Sequence, residues 1–376
     1  MRPAFVHLYR SLPGLVSGML TLSVLLGTVR WVGAPASAPA PGGGGENLSA
    51  ELTEHLSQTA AGVFSGEKRY WIARRALSGP KPDPKGFHRT ENPAELDFTQ
   101  EAEKLLDGQS LFFSPQVTLV PGTPVRWYLD ETILAITWKE VIDGGVYTFS
   151  EVKIAHPSQF RRFLAGGEFG SEKLYVTTDM ARSVNAVVAS SGDFYSYRQA
   201  GTLVYDGLVR RVDNGLVDTC YVDKNADLIF GSREDNLTKE QSQQFVDERE
   251  ILFSLAFGPV LITDGRVVTP DSYVVGEIND HYPRSALCQL GKLHYLLAVV
   301  NGENAYPAVP TIHRFARNLL DRGIQKAYAL DGGQTAVIAM EGQLINAVLF
   351  GHQRNISDII YFATAIPEGQ SQEDRL

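Results

Sequence analysis

The chain has 376 residues, a formal net charge of -9, 44% hydrophobic residues and 35 glycines. That length holds one large or two smaller globular domains with ample core. An acidic chain without any Lys/Arg-rich run argues against a nucleic-acid partner, so a polyanionic partner has to be met by a few well-placed arginines.

In chain order, the first predicted element is apolar. Ser11 through Val29 carries no charge, with Arg2, His7 and Arg10 before it and Arg30 after it. Such a stretch is just long enough to cross a bilayer as a helix. The basic residues on its N-terminal side suit a cytoplasmic N-terminus. The predicted order is a cytoplasmic segment 1–10, a membrane anchor 11–32 and an Ala/Pro/Gly spacer 33–46. A cleaved signal segment competes with the anchor, since Ala34-Pro35-Ala36 and Ala36-Ser37-Ala38 offer small-residue sites. Both readings put the remainder outside the cytoplasm.

Residues 47–116 read as an N-terminal extension. A short amphipathic helix is predicted from Glu46 to about Gly66 and another from Leu96 to Gln109, with poor order from Ser78 to Pro93. From Val117 the texture changes, and a mixed α/β domain is predicted over 117–368, followed by a polar tail 369–376. Strands are expected at Val125–Leu129, Thr132–Trp138 and Val146–Ile154. Pro157 is expected to open a short helix through Leu164, closed by Gly166-Gly167. Thr178 and Thr311 are expected to cap two more helices, the second running on Ile312, Phe315, Ala316, Leu319 and Leu320 until Gly323. Hairpins are predicted at Asp206-Gly207, Asp264-Gly265 and Glu341-Gly342. Strands alternating with helices and hairpins argue for an α/β fold, in the sense of a mixed α+β sheet with helices.

Cys220 and Cys288 have no Cys-x-x-Cys partner and no neighbouring His cluster, so no structural zinc is predicted and they read as small buried hydrophobes. Asp223, Asn225, Asp227 and Glu234 fit a calcium-loop spacing, but Leu228 stands where the loop needs glycine, and strand-like flanks make this a hairpin. No metal and no cofactor is predicted.

Three apolar runs end in small polar clusters: Ala189-Ser190-Ser191-Gly192-Asp193, Val299-Val300-Asn301-Gly302-Glu303 and Ala329-Leu330-Asp331-Gly332-Gly333-Gln334-Thr335. Each reads singly as a turn. If the strands are neighbours, Asp193, Asn301, Glu303 and Asp331 converge on one sheet edge, where α/β proteins bind ligands. Arg284 and Arg354 stand beside apolar stretches, and a guanidinium fork suits phosphate.

These blocks resemble the phosphodiester glycosidase family, related to the lysosomal "uncovering" enzyme that removes N-acetylglucosamine from a phosphodiester. The resemblance runs from about Val117 to Pro367. It is carried by Ser191-Gly192-Asp193-Phe194-Tyr195, Phe257-Gly258-Pro259 with Asp264-Gly265, Pro283-Arg284-Ser285-Ala286, Val299-Val300-Asn301-Gly302, Leu330-Asp331-Gly332-Gly333-Gln334-Thr335 and Arg354-Asn355-Ile356-Ser357-Asp358. It implies cleavage of a sugar from an anomeric phosphodiester in a phosphoglycan. By the resemblance Asp331, then Asp193, would supply the carboxylate and Arg284 and Arg354 would clamp the diester. Ser191, Gly192, Asn301, Glu303, Gly332, Gly333, Gln334 and Thr335 would line the substrate. The chain departs from the family pattern at Ser191, at Asn301-Gly302-Glu303 and before Thr311. The alternative to a hydrolase is a membrane-anchored glycan-binding protein without turnover. The texture with its N-terminal anchor is similar to cell-surface members from Gram-positive bacteria.

Overall fold

The computed structural model describes residues 78–366 except 99, 213–214, 275–277 and 304. The anchor, the spacer, the helix predicted from Glu46 and the polar tail lie outside the described residues. Among the described residues no helix is long and apolar enough to cross a membrane.

The strands visit three antiparallel sheets in turn. The first sheet opens with β1 (Phe87–Thr90), β2 (Val125–Leu129), β3 (Ile133–Ile142) and β4 (Gly145–Ile154). The chain then moves to a second sheet with β5 (Phe160–Leu164) and β6 (Val188–Ser191). A third sheet takes β7 (Leu203–Tyr205), β8 (Leu208–Arg211), β9 (Thr219–Asp223), β10 (Leu228–Gly231) and β11 (Ile251–Leu255). Back in the first sheet come β12 (Val260–Thr263), β13 (Arg266–Val267), β14 (Arg284–Gly291), β15 (His294–Asn301) and β16 (Ala327–Leu330). The second sheet closes with β17 (Ile338–Met340), β18 (Gln343–Leu344) and β19 (Asp358–Phe362). Helices α1 (Gln100–Leu106), α2 (Thr177–Ser183), α3 (Lys239–Arg249) and α4 (Ile312–Asp321) contribute far fewer residues.

The α/β expectation is therefore corrected toward an antiparallel α+β architecture with more strand than helix. The reason is local. Asp143-Gly144, Asp206-Gly207, Asp264-Gly265 and Glu341-Gly342 each place two consecutive residues at positive φ, between 49° and 73°. Two-residue turns of that hand return the chain beside itself and leave no length for a crossover helix.

The first sheet runs β1-β2-β3-β4-β15-β14-β16-β12-β13. On β15, Tyr295, Leu297 and Val299 join a core shared with the second and third sheets. Leu296, Ala298 and Val300 point the other way, onto Phe315, Ala316 and Leu319 of α4. The period of two thus sorts side chains into two cores on either side of one sheet. Cys220 belongs to one core and Cys288 to the other, so the sheet itself lies between the two thiols, both buried. Thr311 caps α4 through Oγ1, which accepts from Arg314 N–H at 3.3 Å.

Two local expectations are overturned. Ser78 to Pro93 was expected to lack order, yet β1 pairs with β2 in register, with Phe87 against Tyr128 at 4.6 Å and His88 stacked on Trp127 at 4.0 Å. Such cross-strand aromatic pairs stabilise an edge strand that its polar composition hides. The helix expected from Pro157 to Leu164 is a single 3-10 turn, Pro157–Gln159, followed by β5.

Candidate active site

β14 lies between β15 and β16 and runs antiparallel to both, with Arg284 opposite Val300 and Ser285 opposite Leu330. That register brings the start of β14 to the ends of β15 and β16, so Arg284, Asn301 and Asp331 share one sheet edge. The second sheet meets this edge, where Asp331 N–H donates to Gly192 O at 3.4 Å.

A cleft of about 180 Å³ opens there, lined by Arg198, Arg284 and Arg354, by Asp331 and Gly332, and by the rings of Tyr197, Phe257, Tyr273 and Tyr282. Asp331 is nearly inaccessible and pairs with Arg354 Nη2 at 2.8 Å. Burial pushes its carboxyl above the ordinary carboxylate range, against the pull of the Arg354 and Arg198 guanidiniums and of the Thr335 hydroxyl. Arg284 is held from behind, since its Nη2 donates to Asp280 O at 2.7 Å. Arg198 lies 4.6 Å over the Phe257 ring.

The glycines after Asp331 serve close packing. A Cβ on Gly332 would come within 2.5 Å of Pro283 O. Gly333 sits at φ +66°, where a Cβ would strike Tyr282. The Gly333 N–H donates to Pro283 O at 3.0 Å, so it is turned to the chain. Thr335 Oγ1 donates to Gly332 O at 2.7 Å, Ser191 Oγ donates to Thr335 O, and Gln334 Nε2 meets His352 Nε2 at 3.2 Å. These contacts hold the turn that carries Asp331.

Asp193 does not reach the cleft. Its side chain is sealed in a second cluster, where Arg162 of β5 pairs with Asp193 at 2.5 Å and with Asp358 at 2.9 Å, all three side chains at 0% exposure. Asp193 also accepts from Ala256 N–H at 2.6 Å, and Asp358 accepts from Phe194 N–H at 2.9 Å. Arg162 Nη1 donates to Ser254 O as well. Burial pushes the Asp358 carboxyl up to about 7, with the Asp193 charge adding and Arg162 opposing. Gly192 is required here, because a Cβ would lie 1.8 Å from Asp358 Oδ2. The cluster staples β5, β6, β11 and β19 directly behind the cleft.

Asn301 and Glu303, expected as substrate contacts, are turned elsewhere. Asn301 Nδ2 donates to Ala347 O at 2.6 Å, and Glu303 pairs with Lys139 at 3.0 Å while accepting from Ala347 N–H. Both tie down the strand connection before Arg354 and neither lines the cleft. Sequence reasoning missed Arg198 and Arg162. The proximity of Arg198 to Ser191–Tyr195 was a usable signal; Arg162 gave none, because its partners come from residues 193 and 358.

A family model described as phosphodiester glycosidase matches residues 184–363. The SPbeta prophage-derived uncharacterized protein YomE of Bacillus subtilis (strain 168) is 24% identical over 199 residues, which cover 51% of this chain and 30% of that relative. The chain thus spans less than a third of that relative's length. A hypothetical protein from Synechocystis shares the fold with a TM-score of 0.51 at 15% identity, over 64% of each chain. The zebrafish N-acetylglucosamine-1-phosphodiester alpha-N-acetylglucosaminidase catalytic domain gives a TM-score of 0.47 at 16% identity, over 62% of this chain and 83% of that one. Over residues 184–363, just under half of the chain, the sequence is thus similar to the phosphodiester glycosidase family.

Proposed function

We propose that this protein hydrolyses an anomeric sugar-1-phosphodiester, releasing the free sugar and a phosphomonoester, with Asp331 as its working carboxylate. The observation that carries this reading is the charge of the cleft: three guanidiniums face a single carboxylate in a chain whose net charge is -9. An anionic ligand is favoured by that local reversal of sign. Glycoside cleavage ordinarily uses two carboxyl groups, one to protonate the leaving oxygen. A phosphomonoester is already a stable anion, so one carboxylate suffices if arginines take up the leaving charge. Asp331 would act on the anomeric carbon, as nucleophile or as the charge opposing an oxocarbenium-like transition state. Arg284 and Arg354 would clamp the diester, with Arg198 beside them.

The purified protein is expected to release sugar from a sugar-1-phosphodiester. Arg284→Lys should lose on the order of 2–4 kcal/mol of transition-state stabilisation, because an ammonium cannot repeat the bidentate contact. The loss should appear in kcat/KM for the diester and not for a neutral aryl glycoside of the same sugar. Equal losses on both substrates would make Arg284 a structural residue. Binding of the diester without turnover would leave a glycan-binding protein in place of the hydrolase.

We place the domain outside the cytoplasm, on a phosphoglycan of the cell envelope, with 11–32 as its membrane anchor. The support is the uncharged run Ser11–Val29 behind Arg2 and Arg10. Protease added to intact cells should then digest the domain; complete protection would defeat the assignment.

A further inference from the structure

A second cavity, of about 500 Å³, opens on the third sheet and shares no lining residue with the cleft. It originates in the register of β9 and β10, where Tyr221 pairs with Ile229 and Thr219 with Gly231. The period of two puts these four residues on one face of the sheet, while Cys220, Val222 and Leu228 point to the central core. Gly231 lets the Tyr221 ring lean across the strand, since a Cβ there would come within 2.8 Å of that ring. Helix α3 covers the same face through Val246 and Phe245, packed with Val204, Val209 and Ile251. The hollow remains between this helix, the β9–β10 face and the loop that carries Leu237. Protein interiors hold few gaps larger than a water molecule, so an opening of this size is set apart from ordinary packing.

The lining narrows what fits. Tyr221 and Phe245 meet at 57° with ring centroids 5.0 Å apart, forming an aromatic corner. A flat aromatic body packs into such a corner with one face and one edge in contact. Val217, Ile229 and Leu237 add apolar walls. The charged residues of the lining are Arg233, Arg249 and Asp235. Asp235 is turned back on its own loop, where its Oδ2 accepts from Ser232 N–H at 3.0 Å. Arg233 lies 4.9 Å over the Tyr273 ring, and its two terminal nitrogens donate to Ser272 O at 3.5 and 3.4 Å. Those are long contacts for a fork with five donors. Arg249, exposed at the end of α3, is the second guanidinium.

Cavities of this volume, apolar and aromatic with a few polar groups at fixed places, are where proteins hold small molecules. We infer that this cavity binds a small aromatic anion, its ring in the Tyr221–Phe245 corner and its acid group at Arg249. The site is separate from the cleft and does not rest on the sugar-phosphodiester reading.

Two fluorescent probes test this: anilinonaphthalene sulfonate and the neutral phenylnaphthylamine, which share an aromatic body and differ in the sulfonate. The purified wild type should bind both saturably. Arg249→Gln should weaken the sulfonate about tenfold, the scale of one charge-assisted hydrogen bond, and leave the neutral probe unchanged. Thr219→Phe should fill the hollow and remove binding of both, and Leu237→Trp should do so from the loop without altering β9. Arg198→Gln, in the cleft, should change neither. Signal from the apolar run Ser11–Val29 is common to all these proteins and cancels. Absence of saturable binding in wild type, or affinities untouched by both Thr219→Phe and Leu237→Trp, would overturn the site. Loss of the sulfonate with Arg198→Gln in place of Arg249→Gln would move the probe to the cleft and overturn it equally. The same loss for both probes with Arg249→Gln would overturn the assignment of an anion.

Discussion

Asp331→Asn should reduce sugar release by about 10²- to 10⁴-fold, the range for removing one group that acts at the reacting centre, while the protein stays folded. Burial raises the carboxyl of Asp331 even beside Arg354, which means that keeping it charged costs the native state free energy. A neutral amide of the same shape removes that cost, so the melting temperature should hold or rise as activity disappears, the usual relation between a strained site and stability. The sign of the pH dependence follows from the same shift. If the ionised form acts on the anomeric carbon, wild-type activity should fall on the acid side at a pH above the ordinary carboxylate range. Steady-state kinetics and thermal melts on the two proteins check this. A large drop in melting temperature, or a variant that still turns over at the wild-type rate, would move the chemistry away from Asp331.

Arg162→Met should destabilise the fold by about 3–5 kcal/mol, because it strands the Asp193 and Asp358 carboxyl groups in the interior without the cation that pairs with them. Both Asp193 and Asp358 lie at 0% side-chain exposure, so water cannot take over. The wild-type cluster should also be visible in pH titration. Asp358 has its folded value pushed up to about 7, whereas an unfolded aspartate titrates near about 3.9. Between those values the folded chain holds a proton that the unfolded chain has released. The contribution of Asp358 is therefore full below the unfolded value and is lost as pH rises toward about 7. Urea unfolding followed across this window should lose more free energy for wild type than for Asp358→Asn, which lacks that proton. The same pH dependence in both proteins, or an Arg162→Met protein as stable as wild type, would contradict this account of the cluster.

The hairpins were legible because their signal is local. Asp206-Gly207, Asp264-Gly265 and Glu341-Gly342 each combine a residue that tolerates positive φ, or is forced to, with a glycine that prefers it. The helix after Thr311 was legible for the same reason, with cap, apolar stripe and terminating glycine inside one short window. Asp331 at the end of its strand could be read from Asp-Gly-Gly, and its nearness to Arg284 and Arg354 came from the resemblance. β5 was not legible. Pro157 and Gly166-Gly167 mimic helix boundaries, and Phe160-Arg161-Arg162-Phe163-Leu164 is buried on both faces, so it lacks the alternation that marks a half-exposed strand. Two arginines argue for solvent unless their carboxylate partners are known, and those arrive from positions far along the chain. Asn301 and Glu303 stand near the shared edge as expected, but their side chains are taken up by the segment at Ala347, a contact no local sequence signal announces.

β19 is inserted between β5 and β6, not added at a margin of the second sheet. Residues made early therefore wait, side by side but unpaired, for a strand made after all the other described ones. During synthesis the slot stays open until residue 362 has left the ribosome, and Arg162 and Asp193 have no Asp358 to complete their cluster. Contacts of such long sequence separation form slowly, since the loop must close before they reward it. A chain cut short before residue 354 would lose Arg354 and Asp358 together. Copies ending before residue 354 thus lack both the Arg354 partner of Asp331 and the Asp358 partner of Arg162, so the last of the described strands, with the residues just before it, completes both clusters.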